Sequence, residues 1–98
     1  MQRVIKHMIR QGDVLLVPTS IPSAAPTLAR EGDQSLVLAH GEVTGHRHRF
    51  LADDDVELRD PPDHPTRHLT IVRTRGLRHE EHDPVVPAPG TYDLPRQV

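Results

Sequence analysis

The chain contains no cysteine, which excludes a disulfide framework, a thiolate zinc site and a thiol nucleophile. Tryptophan is also missing, and Phe50 and Tyr92 are the only aromatic residues. The stacking platform on which single-stranded nucleic acids are held is therefore not available. Three serines occur, none in a Gly-x-Ser-x-Gly elbow, so a Ser-His-Asp hydrolase has no support. There is no glycine-rich phosphate loop. No stretch approaches the about 20 apolar residues of a membrane span, and the first residues hold too short an apolar run for a signal peptide. A soluble cytoplasmic protein without membrane contact is the expectation. Twelve basic residues stand against 14 acidic ones, for a net charge of −2, so no global field draws the protein to polyanions. Nucleic-acid binding would rest on phosphate contacts from a stripe of Arg47, Arg49, Arg67, Arg73, Arg75 and Arg78.

What is present is proline and histidine, ten and eight of them in 98 residues. The prolines imply many turns. The 35% of hydrophobic residues come in short bunches, which a packed domain needs and a disordered chain lacks. The length suffices for one domain with one modest core. Val14–Val17 is a continuous apolar run ended by Pro18 and reads as a buried strand. Ser35–Ala39 reads as a second strand, with His46–Leu51 returning antiparallel to it. Val56–Leu58 and His68–Val72 follow as strands, and short extended pieces lie around Val85–Val86 and Thr91–Leu94. The Pro-rich segment Thr19–Thr27 is a loop that crosses to a short partner near Leu28. Asp60–Pro65 cannot be helix or central strand, because proline lacks the donor and restricts its predecessor. Helical spacing never persists for two turns. The prediction is an all-β protein, a single small barrel or sandwich over residues 11–98, preceded by a flexible lead-in over 1–10.

The chemistry concentrates in two places. In an extended chain alternate side chains share a face, so His46, His48 and Phe50 point one way and Arg47, Arg49 and Leu51 the other. Two imidazoles about 6.5 Å apart along a strand can lean onto a single metal ion. Glu42, just upstream, adds a candidate oxygen ligand. The second place is His79-Glu80-Glu81-His82, where Pro84 allows at most one helical turn, so one of these histidines is a better ligand candidate than both. The plain alternative is that all of these side chains are solvated polar groups, and for at least one of Glu80 and Glu81 that alternative is preferred. His7, His40, His64 and His68 are scattered and are read as non-ligands. An imidazole and carboxylate set without sulfur suits a divalent Zn, Fe, Mn or Ni ion. The expected metal ligands are thus His46, His48, His79, His82 and Glu42, brought together by the fold. No organic cofactor is implied, and no residue near the clusters stands out as a general base.

His46-x-His48 resembles the first motif of the cupins, small β-barrel metal proteins, in which a glycine precedes His-x-His and a glutamate follows. Here Gly41 is one position late and Asp53 stands where the glutamate falls. The second cupin motif is not met at Pro89-Gly90, with Asp93 in place of its histidine. More of the chain is similar to a set of short bacterial proteins without assigned activity. The blocks that carry this likeness are Gln11–Val17, Gly41–Arg49 and Leu77–Tyr92. The resulting expectation is a histidine-rich metal-binding module that acts through binding, interaction or assembly, as a homo-oligomer or with a protein partner. The alternative is a cupin-like metalloenzyme or small-ligand sensor with an open coordination position.

Overall fold

The computed structural model describes residues 8–20, 24–40 and 45–96. Seven strands run through them: β1 Ile9–Gln11, β2 Val14–Thr19, β3 Leu36–His40, β4 Arg47–Phe50, β5 Asp55–Arg59, β6 Thr66–Arg73 and β7 Gly90–Pro95. Among the described residues there is no helix, as the missing helical period and the prolines require. Five strands form one sheet in the order β1-β2-β7-β6-β5, and β3 with β4 forms a second. All the pairings are antiparallel. The sheets do not close on each other, so the molecule is a small sandwich and not a barrel.

Alternation explains the core. Val14 and Leu16, Leu36 and Leu38, Val56 and Leu58, Tyr92 and Leu94 are the alternate inward residues of their strands, and all are buried. Phe50, Leu16, Leu69 and Leu77 have no exposed surface. With so few aromatic side chains, the one phenylalanine fills the centre between the sheets. Burying such a side chain contributes about 1.5–3 kcal/mol, and Tyr92 sends its hydroxyl to the Ala88 carbonyl at 2.6 Å.

Three strand boundaries differ from those read in the sequence. Ile9 and Arg10 pair with Leu16 and Leu15, so the first hairpin starts two residues before the expected domain boundary. Strand β2 continues through Pro18 to Thr19, with Pro18 opposite Tyr92. Past the end of β1 this strand has a neighbour on one side only, and there a residue without an N–H is tolerated. Strand β7 runs on to Pro95. The loop partner near Leu28 is present, since Leu28 N–H donates to the Leu58 carbonyl at 2.7 Å.

The two sheets are tied by side chains as well as by apolar packing. A bulge between Val37 and Ala39 puts Leu38 out of the regular β3–β4 register, and its carbonyl accepts a hydrogen bond from Arg67 Nη2 of β6 at 2.6 Å. Arg30 reaches four carbonyls, those of Gln34, Leu51, Asp54 and Val56, and so ties the loop before β3 to the β4–β5 connection.

Candidate functional site

Strand β4 and the segment after Leu77 build one cluster. Leu77 is the anchor: it is fully buried, and its backbone exchanges hydrogen bonds with Val85. The chain from 78 to 84 is thereby a closed loop. Arg78 exchanges both backbone hydrogen bonds with Arg49 of β4, at 2.8 and 2.9 Å. In an antiparallel pair the residues on either side of such a bridge also face each other, so His79 comes opposite His48 and Glu80 opposite Arg47.

The rings lie accordingly. His48 and His79 have centroids 4.3 Å apart, His79 and His82 4.6 Å, His46 and His79 5.6 Å, and His48 and His82 5.9 Å. Two imidazoles bound to one tetrahedral ion at about 2.1 Å have ring centres roughly 5 Å apart. The inward alternation read along β4 is present: His48 and Phe50 are buried, Arg47 and Arg49 half-buried, and His46 half-buried just before the strand. His82 is exposed at the rim. Glu42 lies outside the described residues.

Two further residues complete the cluster, and both come from the tip of the first hairpin. Gln11 is a buried polar residue. Its Nε2 donates to the carbonyls of Leu77 at 2.7 Å and Asp83 at 3.0 Å. That fixes its amide, since only the NH2 end can serve two carbonyls. Gln11 Oε1 therefore faces His48 Nδ1 at 2.9 Å as an acceptor, and Nδ1 must carry the hydrogen. The lone pair of His48 is left on Nε2, 3.6 Å from Asp13 Oδ1. Next along, Gly12 has φ +58°, and a Cβ there would fall 2.7 Å from His82 Nε2. Glycine is what lets the hairpin tip close on the rings.

Electrostatics favours the neutral form of His48. Burial lowers its pKa below the ordinary 6.5, and the neighbouring His79 lowers it again, against a smaller opposing pull from Asp13. His79 has its own restraint, since its Nδ1 accepts the Glu81 N–H at 3.0 Å. Binding a cation at that nitrogen would take this bond away. Among the described residues, no group of three or more His, Asp or Glu side chains is placed to hold a metal ion.

Glu80 clamps the loop. One carboxylate oxygen accepts the Arg47 backbone N–H at 2.7 Å and the other the Arg49 guanidinium at 2.6 Å. The Arg47 N–H, its own backbone N–H and Arg49 together hold its carboxyl at about 2. Glu81 is the solvated member of the pair, 67% exposed and 3.8 Å from His46 Nδ1. Arg47 turns to the other side, to Asp33 at 2.8 Å and Glu31 at 3.4 Å. Of the six arginines read as a stripe, Arg47, Arg49 and Arg75 are thus in ion pairs, the last with Asp53.

The other described histidines stand apart. His40 pairs with Glu31, His64 bonds within its own turn to Thr66, and buried His68 faces Asp93 across β6 and β7. Gln11 and Asp13 are the residues the sequence reading passed over. The available signal was a Gln and an Asp flanking the glycine that opens the most apolar strand.

Fold and site define an all-β sandwich with a four-histidine cluster between a strand and a closed loop. The chain belongs to the family described as Domain of unknown function (DUF8820), whose model matches residues 10–97. No curated protein and no solved structure matches it.

Proposed function

We propose that this domain binds a divalent metal ion, Zn, Fe, Mn or Ni, through His46, His48 and a histidine of the 79–82 loop, and that it serves as a binding or assembly module. The observation that carries the reading is the setting of His48: a buried imidazole whose charged form burial disfavours, whose Nδ1–H is held by Gln11 and whose ring lies 4.3 Å from that of His79. A ligating histidine is normally held in this way, its second nitrogen donating to a fixed acceptor. His82 is a better third ligand than His79, because the Nδ1 of His79 is already engaged. The ligand chemistry is that of the cupin His-x-His strand, with the third histidine supplied from a different place in the chain. Met8, Val72 and Val86 are apolar and more than half exposed, which favours association of this small domain into a homo-oligomer or onto a protein partner.

Metal analysis of protein purified without a histidine tag, after dialysis against each ion in turn, tests the reading. Stoichiometric metal that is lost in His48→Ala is the expected result. Stoichiometric metal that survives the double change at His46 and His48 would sink the site.

The exposed rim supports a second reading. Asp13 is 79% and Glu81 67% exposed beside the rings, so an ion held there keeps a position open to water, as a sensor or metalloenzyme requires. Azide added to the cobalt-substituted protein separates the two: a saturable spectral change favours the open site, and an unresponsive spectrum the module.

A further inference from the structure

A cavity of about 440 Å³ opens where the ends of β2, β3 and β7 meet. Its floor is apolar, from Val14, Leu38 and Leu94, all buried in the core. Into it reaches Arg67, a half-buried side chain of β6. One of its nitrogens is used on the Leu38 carbonyl. A guanidinium has five N–H donors, and Arg67 forms no ion pair among the described residues, whereas Arg96 at the mouth is tied to Asp60. Burial lowers the Arg67 pKa, attraction to Asp60 raises it and repulsion from Arg96 lowers it again. An arginine does not escape this by losing its proton, so it is left as a desolvated cation in want of an anion.

We infer that this cavity is a binding site for a small monocarboxylate with a short apolar tail, its carboxylate on Arg67 and its tail on Val14, Leu38 and Leu94. The planar fork of Arg67 matches a carboxylate. The volume falls in the range of small-molecule sites, and the apolar floor is ringed by the polar side chains of Asp13, His40, Asp60, Arg67 and Arg96. Asp13 in the lining disfavours a multiply charged anion such as phosphate, whereas the charge of Asp60 is already matched by Arg96. The inference does not rest on the metal reading: no histidine of the cluster lines the cavity, and the two places share only Asp13.

The test is a calorimetric or NMR titration of the full chain, stripped with chelator, with sodium butyrate at constant ionic strength. Butyrate should bind saturably. Butyramide, the same shape without charge, should bind about tenfold or more weakly, since a hydrogen bond to a charged group is worth about 1.5–3 kcal/mol. Asp60→Asn, which removes the ion pair of Arg96 while its bonds to the His64 and Pro61 carbonyls remain, should tighten butyrate severalfold. Arg67→Gln should abolish the preference for butyrate over butyramide. Because Arg67 also ties the sheets, that variant is first checked for a native β spectrum, and the butyramide comparison on the unaltered chain stands whatever its outcome. Equal binding of butyrate and butyramide, tighter binding of inorganic phosphate, or no saturation with butyrate would overturn the inference.

Discussion

The molecule holds two groups of histidines, and they have been given opposite surroundings. His64 and His68, with ring centroids 4.8 Å apart, each have a local partner: the Thr66 backbone for one and the Asp93 carboxylate for the other. His46, His48, His79 and His82 face one another, and their carboxylates stand at the rim at 3.6 and 3.8 Å, beyond hydrogen-bonding distance. The inner nitrogen of His48 is instead fixed by a neutral amide. An amide oxygen can fix a histidine tautomer without adding a charge beside it. The first group thus lies against the backbone and a carboxylate, whereas in the second His48 is held by a neutral amide and His79 by the Glu81 N–H.

The largest expected effect is on metal. His46→Ala and His48→Ala should each weaken binding by more than about 100-fold, beyond what loss of an outer partner alone costs. His64→Ala and His68→Ala should leave metal content unchanged by atomic emission after dialysis. Equal depletion in His68→Ala would erase the distinction between the groups.

Next comes Gln11→Ala. Removing the amide leaves His48 free to turn and should lower metal affinity by about 10- to 100-fold. It also leaves the Leu77 and Asp83 carbonyls short of a donor, at about 1–3 kcal/mol of stability in urea unfolding. Wild-type affinity in that variant would reduce Gln11 to a structural tie.

The third test uses pH and metal-free protein. The His48 pKa is lowered on folding, so the unfolded chain binds the extra proton first. Stability is therefore full above the unfolded value near 6.5 and falls as the pH drops below it. The urea midpoint should be lower at pH 5.5 than at 7.5, and the difference should shrink in His48→Gln. A midpoint that rises on acidification would contradict the neutral assignment.

The smallest effect belongs to Glu80→Gln. Its ion pair is open to solvent, so the loss should stay below about 1 kcal/mol. Because folding lowers its pKa to about 2 from 4.5, the contribution is present above 4.5 and lost as pH falls through 2. Acid unfolding of the variant should lack that limb.

Strand alternation made much of this legible. His48 and Phe50 share an inward face because the period along a strand is two, and the pairing of Leu36–His40 with Arg47–Phe50 matches the antiparallel return read after Gly41. The histidines of the cluster were visible as residue types. Their meeting depends on the Arg49–Arg78 bridge, a register that nothing local encodes. The role of Gln11 was hidden for the same reason, since a glutamine carries no mark of the two carbonyls 66 and 72 residues away that it will serve. Pro18 misled because a proline ends central strands but not a stretch paired on one side. The closed barrel was indistinguishable from the sandwich, as both need only short alternating strands.

The hairpin tip at Gly12 has a consequence for the order in which the molecule forms. Its contacts reach His48, 37 residues on, and the loop after Leu77, across most of the chain. Such distant contacts form late, once the intervening loops have closed. The four rings are thus assembled only when the chain from Gln11 to Asp83 has found its final path. A cation held at this place would act as a latch on a finished fold, slowing its unfolding while leaving the rate of folding nearly untouched.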